Sequence, residues 1–344
     1  MKRAIDIIGL PRLIISSLFI FVLIVAAYLG MPIGSFASDI LKRVGMYGIL
    51  VLAMVPSIQV GTGPNFALPI GILCGLLGVV IGQELGIDGF PGFLAAVGLS
   101  MPFAILIGIY YGKLMNMVKG AEMTIATYTG FAAVQFMCIG WILLPFKSPS
   151  MKWPLGMGLR NTFPMDKTYG LILNDFLKFE IGSVTVPTGL LLVLFATCFA
   201  VWLFTKSRTG TEMLATGMNP KFAAAAGIDI DKKRITANVL STVLGAFGII
   251  VYSQSFGFVQ LYTAPLMMAF PAVASILIGG ATAQRARVSH VLIGVLLFQG
   301  LLAVSLPVAN VLAPEGNLSE IIRMVVQNGI ILYALTKVNS GGKS

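Results

Sequence analysis

Long apolar runs recur from the first twenty residues of this sequence to the last twenty, and too few charges lie between them to clothe a water-soluble surface. Hydrophobic residues make up 57% of the 344 and charged residues only 10%, far from the composition of a soluble domain. A helix needs roughly 17–25 predominantly apolar residues to cross the hydrocarbon, and every backbone polar group there must be paired within it. The chain therefore reads as an all-α polytopic membrane protein, one transmembrane domain over residues 1–344.

Ten segments are candidates for spans: Leu13–Leu29, Met46–Val60, Pro64–Gly82, Phe93–Leu114, Met123–Phe146, Pro187–Phe204, Ile235–Tyr252, Ala264–Ile278, Val288–Leu306 and Ile321–Leu335. The second, third and eighth carry Gly and Pro at or near their ends, the mark of broken or tilted half-helices. With both termini in the cytoplasm, fifteen of the 23 basic residues and five of the 13 acids fall inside, which places the whole formal charge of +10 there. Outside, eight basic residues meet eight acids. That asymmetry follows the positive-inside rule. Spread over short loops, it suits anionic lipid of the cytoplasmic membrane as a partner, and not nucleic acid. The basic start followed by Leu13–Leu29 reads as an uncleaved anchor, its apolar core being longer than that of a secretion signal. Cys74, Cys138 and Cys198 all fall within spans, so neither a disulfide frame nor a metal site is expected.

Two hydrophilic stretches break the rhythm, an outside segment at 147–186 and an inside one at 206–234. Both exceed a simple turn. The outer one mixes Pro, Gly and charge with Trp153 and reads as a small cap, either a lid or a docking surface. A faint internal repeat pairs "TGPNFALPIG" from Thr62 with "TAPLMMAFPA" from Thr263. In the ten-span order the two enter the membrane from opposite sides, as in transporters built from inverted repeats, where paired interruptions of this kind line the substrate path.

The inner stretch has readable local physics. Asn219 is a good N-cap, Pro220 suits the first helical position, and Gly227 suits the left-handed position that ends a helix. The "KFAAAA" between them is too short to be stable alone. Its alanine-rich face admits close approach by another surface, with Phe222 as an anchor and Lys221 as a charge.

On these residues the chain resembles a known family. "GMNPKFAAAAGI", Gly217 to Ile228, looks like the Gly-x-Asn-Pro-x-x-Ala-x-x-x-Gly-Ile coupling loop of ABC-importer permeases of the ribose-type and branched-chain-amino-acid-type family, in its simple-sugar or nucleoside branch. "VGTGPNFALPIG" from Val60, "EIGSVTVPTGLLLVL" from Glu180 and "LIGGATAQRARVSHVLIGVLLFQGL" from Leu277 resemble three further family regions, the second of them the start of its sixth span. The resemblance implies that Gly217, Asn219, Pro220, Lys221, Phe222, Ala223, Gly227 and Ile228 shape an element that docks on an ATP-binding cassette subunit. It also implies a dimer with a second permease copy or paralogue and an extracytoplasmic solute-binding protein. Departures from the family pattern are Asn65 where the family has Asp, Pro64 where it has Gly, and Arg285 and Arg287 interrupting the Gly-rich run after Gly280.

No enzyme chemistry is evident. The terminal "GGKS" lacks the first Gly of a phosphate loop, since Lys337 holds that position, and the lone His290 has no carboxylate pair near it in sequence. No span carries a carboxylate at mid-depth, which argues against the alternative of a self-contained secondary transporter driven by an ion gradient. Thr62, Asn65, Phe66, Gln135, Asn238 and Gln299 are instead the candidate path residues. Neutral groups suit an uncharged monosaccharide or nucleoside, although helix-to-helix hydrogen bonds draw on the same residue types.

Overall fold

The apolar runs fold into helices that turn back wherever Gly, Pro or charge interrupts them. In the computed structural model, which describes residues 10–154 and 156–312 together with 324, 325, 328 and 329, these are α1 (Leu10–Tyr28), α2 (Ile33–Leu52), α3 (Met54–Gln59), α4 (Leu68–Glu84), α5 (Gly89–Met117) and α6 (Glu122–Leu143). They are followed by α7 (Ile172–Asp175), α8 (Thr188–Lys206), α9 (Arg208–Met218), α10 (Pro220–Ala225), α11 (Ile230–Phe256), α12 (Leu266–Ile278) and α13 (Val288–Leu312). Six are long and apolar enough to cross a membrane, counting Ile33–Gln59 as one, while α1, α4 and α12 are shorter apolar helices. The tenth segment, Ile321–Leu335, lies outside the described residues.

Helix α4 forms the centre, buried on almost every side. Its glycines make this possible: a Cβ on Gly71 would stand 2.6 Å from the Thr242 carbonyl oxygen of α11, and one on Gly75 would collide with the Ala246 carbonyl oxygen. Small residues four apart let backbones approach where lipid offers no hydrophobic drive for helix association. The outer faces of α6 and α8 instead expose Phe131, Phe136, Ile139, Phe195, Phe199 and Trp202, the surface expected against acyl chains.

The helices alternate in direction, giving the bundle two ends. One holds α9, α10 and the connections around 60–67, 118–121 and 279–287; the other holds the 144–187 segment. Among the described residues the α10 end carries eleven basic residues against four acids, and the cap end seven against six.

One expectation needs correction. The second span does not begin at Met46: α2 starts at Ile33, so Asp39, Lys42 and Arg43 lie within a helix and not in an outside loop. The all-α class holds, with four three-residue strands as minor additions, β1 (Thr162–Pro164), β2 (Phe179–Ile181), β3 (Val184–Val186) and β4 (Phe258–Gln260). β1 pairs antiparallel with β4, and β2 with β3, so the stretch from Glu180 is a hairpin and α8 starts only at Thr188. The cap is ordered, and its buried Met151, Leu159, Phe163, Met165 and Tyr169 are continuous with the core of the bundle. Glu84 at the end of α4 pins its start, accepting from the Lys147 and Ser148 amides at 2.9 Å each.

Candidate coupling helix and solute cavity

The short inner helix is closed at both ends by its own sequence. Asn219 Oδ1 accepts from the Phe222 amide at 3.1 Å. At the other end Gly227 takes φ +78°, with the Gly227 amide donating to the Ala224 carbonyl and the Ile228 amide to the Ala223 carbonyl, both at 3.0 Å. These two bonds form the Schellman pattern, which satisfies carbonyls the helix would leave open and needs a residue free to adopt positive φ.

The exposed face of α10 differs from the sequence reading in one respect. Ala223 is 0% exposed and points into the protein's own scaffold, so it seats the helix and offers nothing to a partner. The surface presented outward includes Phe222, 66% exposed, with Lys221, Ala224, Ala225, Ala226 and, from α9, Leu214 and Met218. A stripe of alanines reads as one face in sequence, but six residues of helix cover both faces.

What holds α10 is α9, whose last turn rests against the broken connection after α3. A Cβ on Gly217 would collide with the Gln59 carbonyl oxygen, and one on Gly61 would stand 3.0 Å from the Gly217 Cα. Val60, Met213 and Ala237 pack together beside this crossing, and Gln59 Nε2 donates to the Ala286 carbonyl at 3.1 Å. Ion pairs fix the same layer: Glu212 meets Arg208 at 2.9 Å and Lys233 at 2.5 Å, Lys119 meets Asp231 at 2.7 Å, and Arg234 meets Glu122 at 2.6 Å. Hydrogen bonds from Lys233 first, then Arg208, hold the Glu212 carboxyl below the usual carboxylate range. Its lowered pKa means that this stabilisation is present above the unfolded value and is lost as pH falls through the folded one.

The broken connection is closed in this state. Between α3 and α4 the backbone is irregular yet buried, as such backbone must be at membrane depth. Asn65 is its knot: Nδ2 donates to Ser241 Oγ at 2.8 Å, while Oδ1 accepts from Tyr111 Oη and the Ala67 amide at 3.0 Å each. Thr62 Oγ1 donates to the Ser57 carbonyl at 2.8 Å, and Phe66 packs against Phe270 of α12 with ring centres 5.8 Å apart. Thr62 and Asn65 thus bind the protein itself. Asn238 is similarly occupied, donating to the Arg234 carbonyl one turn back. Gln135 is exposed on the outer face of α6, away from the bundle interior.

Of the six path candidates, Gln299 alone lines the cavity at the cap end, which has a volume of about 480 Å³. Thr263, the partner of Thr62 in the repeat, lines it too, so the two Thr-x-Pro segments sit at opposite ends of the bundle. Its other polar walls are Asn161 and Thr162 from the cap, Gln260 from β4, and Arg43, Tyr47 and Tyr252 from α2 and α11. The two tyrosine rings meet edge to face at 5.2 Å. The sequence reading missed Arg43, Tyr47 and Tyr252. The detectable signal was a helical spacing of four between Arg43 and Tyr47, which sets the two on one face of a longer helix.

A family described as the branched-chain amino acid transport system / permease component matches residues 36–335. The nucleoside ABC transporter permease protein NupB of Lactococcus lactis subsp. cremoris is 24% identical over 190 residues, 53% of this chain and 51% of that protein. The chain thus spans about half the length of this curated relative. No solved structure matches it. With six apolar helices long enough to cross a membrane among the described residues and a family match over most of its length, the chain belongs to the branched-chain amino acid transport system / permease component family, as a multi-pass membrane protein.

Proposed function

We propose that this permease forms, with a second copy or a paralogue, the import path for a small neutral polar solute delivered by an extracytoplasmic binding protein, and that the solute is a nucleoside in preference to a monosaccharide. The observation that carries the reading is the cavity at the end opposite α10, where aromatic rings, side-chain amides and one guanidinium converge. Sites for small molecules pair apolar or aromatic walls with a few placed polar groups in this manner. The named relative supports the choice of nucleoside. The α10 end is cytoplasmic in this reading, because it carries the basic excess. Knotting of Asn65 at that end then makes the described state closed inward and open to the cap side. The two Thr-x-Pro segments at opposite ends fit an inverted repeat, and Gln135, roughly 20 Å along α6, fits a contact with the second copy because an amide facing lipid at that depth is costly.

Movement in the cycle follows from the chain of contacts. Closure of the ATP-binding subunits on ATP draws α10 and α9 with them, and α9 carries the Gly217–Gly61 contact into the broken connection. Release of Asn65 from Ser241 and Tyr111 would open the cavity floor. Binding energy for the solute stays modest, since a carrier must release what it takes. The test is Phe222→Asp, which places a charge on the exposed anchor. Co-purification with the ATP-binding subunit should fall at least tenfold while membrane insertion is retained. Undiminished association and uptake would refute the assignment of α10 as the docking element.

The cap supplies a second test. Lys152 and Lys167 are exposed, whereas Arg160 donates to the Lys152 carbonyl at 2.9 Å and supports the cap itself. Reversing the two lysines to Glu should slow delivery by the binding protein steeply at low salt and little at high salt, because rim charges chiefly set the encounter rate. Uptake that is independent of the reversal at every ionic strength would leave the cap as a wall of the cavity only.

A further inference from the structure

We infer that Arg43 reads the base of the solute, and that among purine nucleosides the cavity takes guanosine and inosine over adenosine; this rests on the nucleoside reading above. Arg43 lies ten residues into α2, roughly 15 Å along its axis. Among the described residues no carboxylate lies within ion-pair distance of it, and Asp39, one turn earlier, faces a separate recess beside Lys42 and Asp175. A partly buried charge without an ion-pair partner is costly unless it meets water or a ligand, and Arg43 lines the cavity. Tyr47 stands on the same wall and offers aromatic surface to a planar ring, while Tyr252, 6% exposed, packs edge to face against it.

Donor chemistry fixes the orientation. Ribose hydroxyls both donate and accept, so the amides of Asn161, Gln260 and Gln299 can serve them in either sense. A guanidinium only donates, in a planar fork suited to two adjacent acceptors. Guanine and hypoxanthine offer that pair at O6 and N7, whereas adenine places an amino donor at position 6, directly against the fork. Exchange of arginine for glutamine reverses the match, since an amide pairs with N6 and N7 of adenine.

The experiment measures thermal stabilisation of the purified permease–ATP-binding-subunit complex, without binding protein, by guanosine, inosine, adenosine, ribose and inosine monophosphate. In the wild type, guanosine and inosine should bind roughly tenfold or more tighter than adenosine, the discrimination a good bidentate contact provides. Arg43→Gln should shift the preference to adenosine. Arg43→Lys, which keeps the charge but not the fork, should bring the three nucleosides within about threefold. Co-elution with the ATP-binding subunit checks that each variant is assembled, and the wild-type ranking stands without any variant.

Equal affinities for guanosine and adenosine in the wild type, or a preference unchanged in Arg43→Gln, overturn the role of Arg43 while leaving a nucleoside carrier in place. Tighter binding of the monophosphate than of inosine also overturns it, since the guanidinium would then read charge. Binding of ribose but of no nucleoside overturns the nucleoside reading itself. No response to any of the five overturns the cavity as a site.

Discussion

Gly217→Val should cut coupled uptake at least tenfold while the permease still inserts and still binds its ATP-binding subunit. Gly217 sits in the last turn of α9, and any Cβ there meets the Gln59 carbonyl, a backbone atom that cannot rotate away. α9 must lift off the α3 end to accept the side chain. The proposed docking surface around Phe222 is carried with it intact, so association should survive while transmission of movement to the broken connection should be lost. Gly217→Ala should give the same defect in milder form. Gly227→Ala gives a useful contrast, because its Cβ would meet nothing within 4 Å and only the positive φ is strained, a cost of about 1 kcal/mol. The readout is ATP hydrolysis stimulated by loaded binding protein, measured beside basal hydrolysis. Wild-type stimulation in Gly217→Val would remove the Gly217–Gly61 contact from the coupling route.

Glu122→Leu should be the most destabilising single change in the ion-pair layer, lowering stability by about 3–5 kcal/mol, the usual effect of leaving one member of a buried pair alone. Arg234 and Glu122 have side chains only 10% and 16% exposed, and Arg234 also donates to the Met115 carbonyl at 2.9 Å. Removing the carboxylate strands a guanidinium between α5, α6 and α11. Lys119–Asp231 makes a similarly short contact at 2.7 Å, yet its side chains are 51% and 57% exposed, and water screens it to about 0–1 kcal/mol. Thermal denaturation of the complex should therefore separate Glu122→Leu from Asp231→Leu by a wide margin. The double variant Glu122→Leu with Arg234→Leu should recover much of the loss, since both charges are then gone. Equal destabilisation by the two single variants would contradict the assigned burial.

Local sequence determined the inner helix almost completely. Asn219 and Gly227 cap α10 through bonds spanning three to five residues, so neighbours along the chain suffice to specify them. Nine of the ten apolar runs could likewise be matched to helices within the described residues, because hydrocarbon demands continuous apolar length and hydropathy measures it directly. The motif around Gly217 pointed to the family on the same local grounds.

Tertiary structure decided what those residues face. Hydropathy placed Asp39, Lys42 and Arg43 in an outside loop, since it averages all sides of a helix; α2 turns Arg43 to a cavity, and the helix continues through the charges. Asn65 and Gln135 had the same standing as neutral polar residues within spans. The first is held by Tyr111 and Ser241, 46 and 176 residues away, and the second lies on the outer surface of α6. Ala223 and Ala225 are identical neighbours on one short helix, one buried and the other exposed. Sequence sets which residues can hydrogen-bond or insert into lipid, but the partner across the bundle is chosen by packing between segments far apart in the chain, and a single sequence carries no record of that distance.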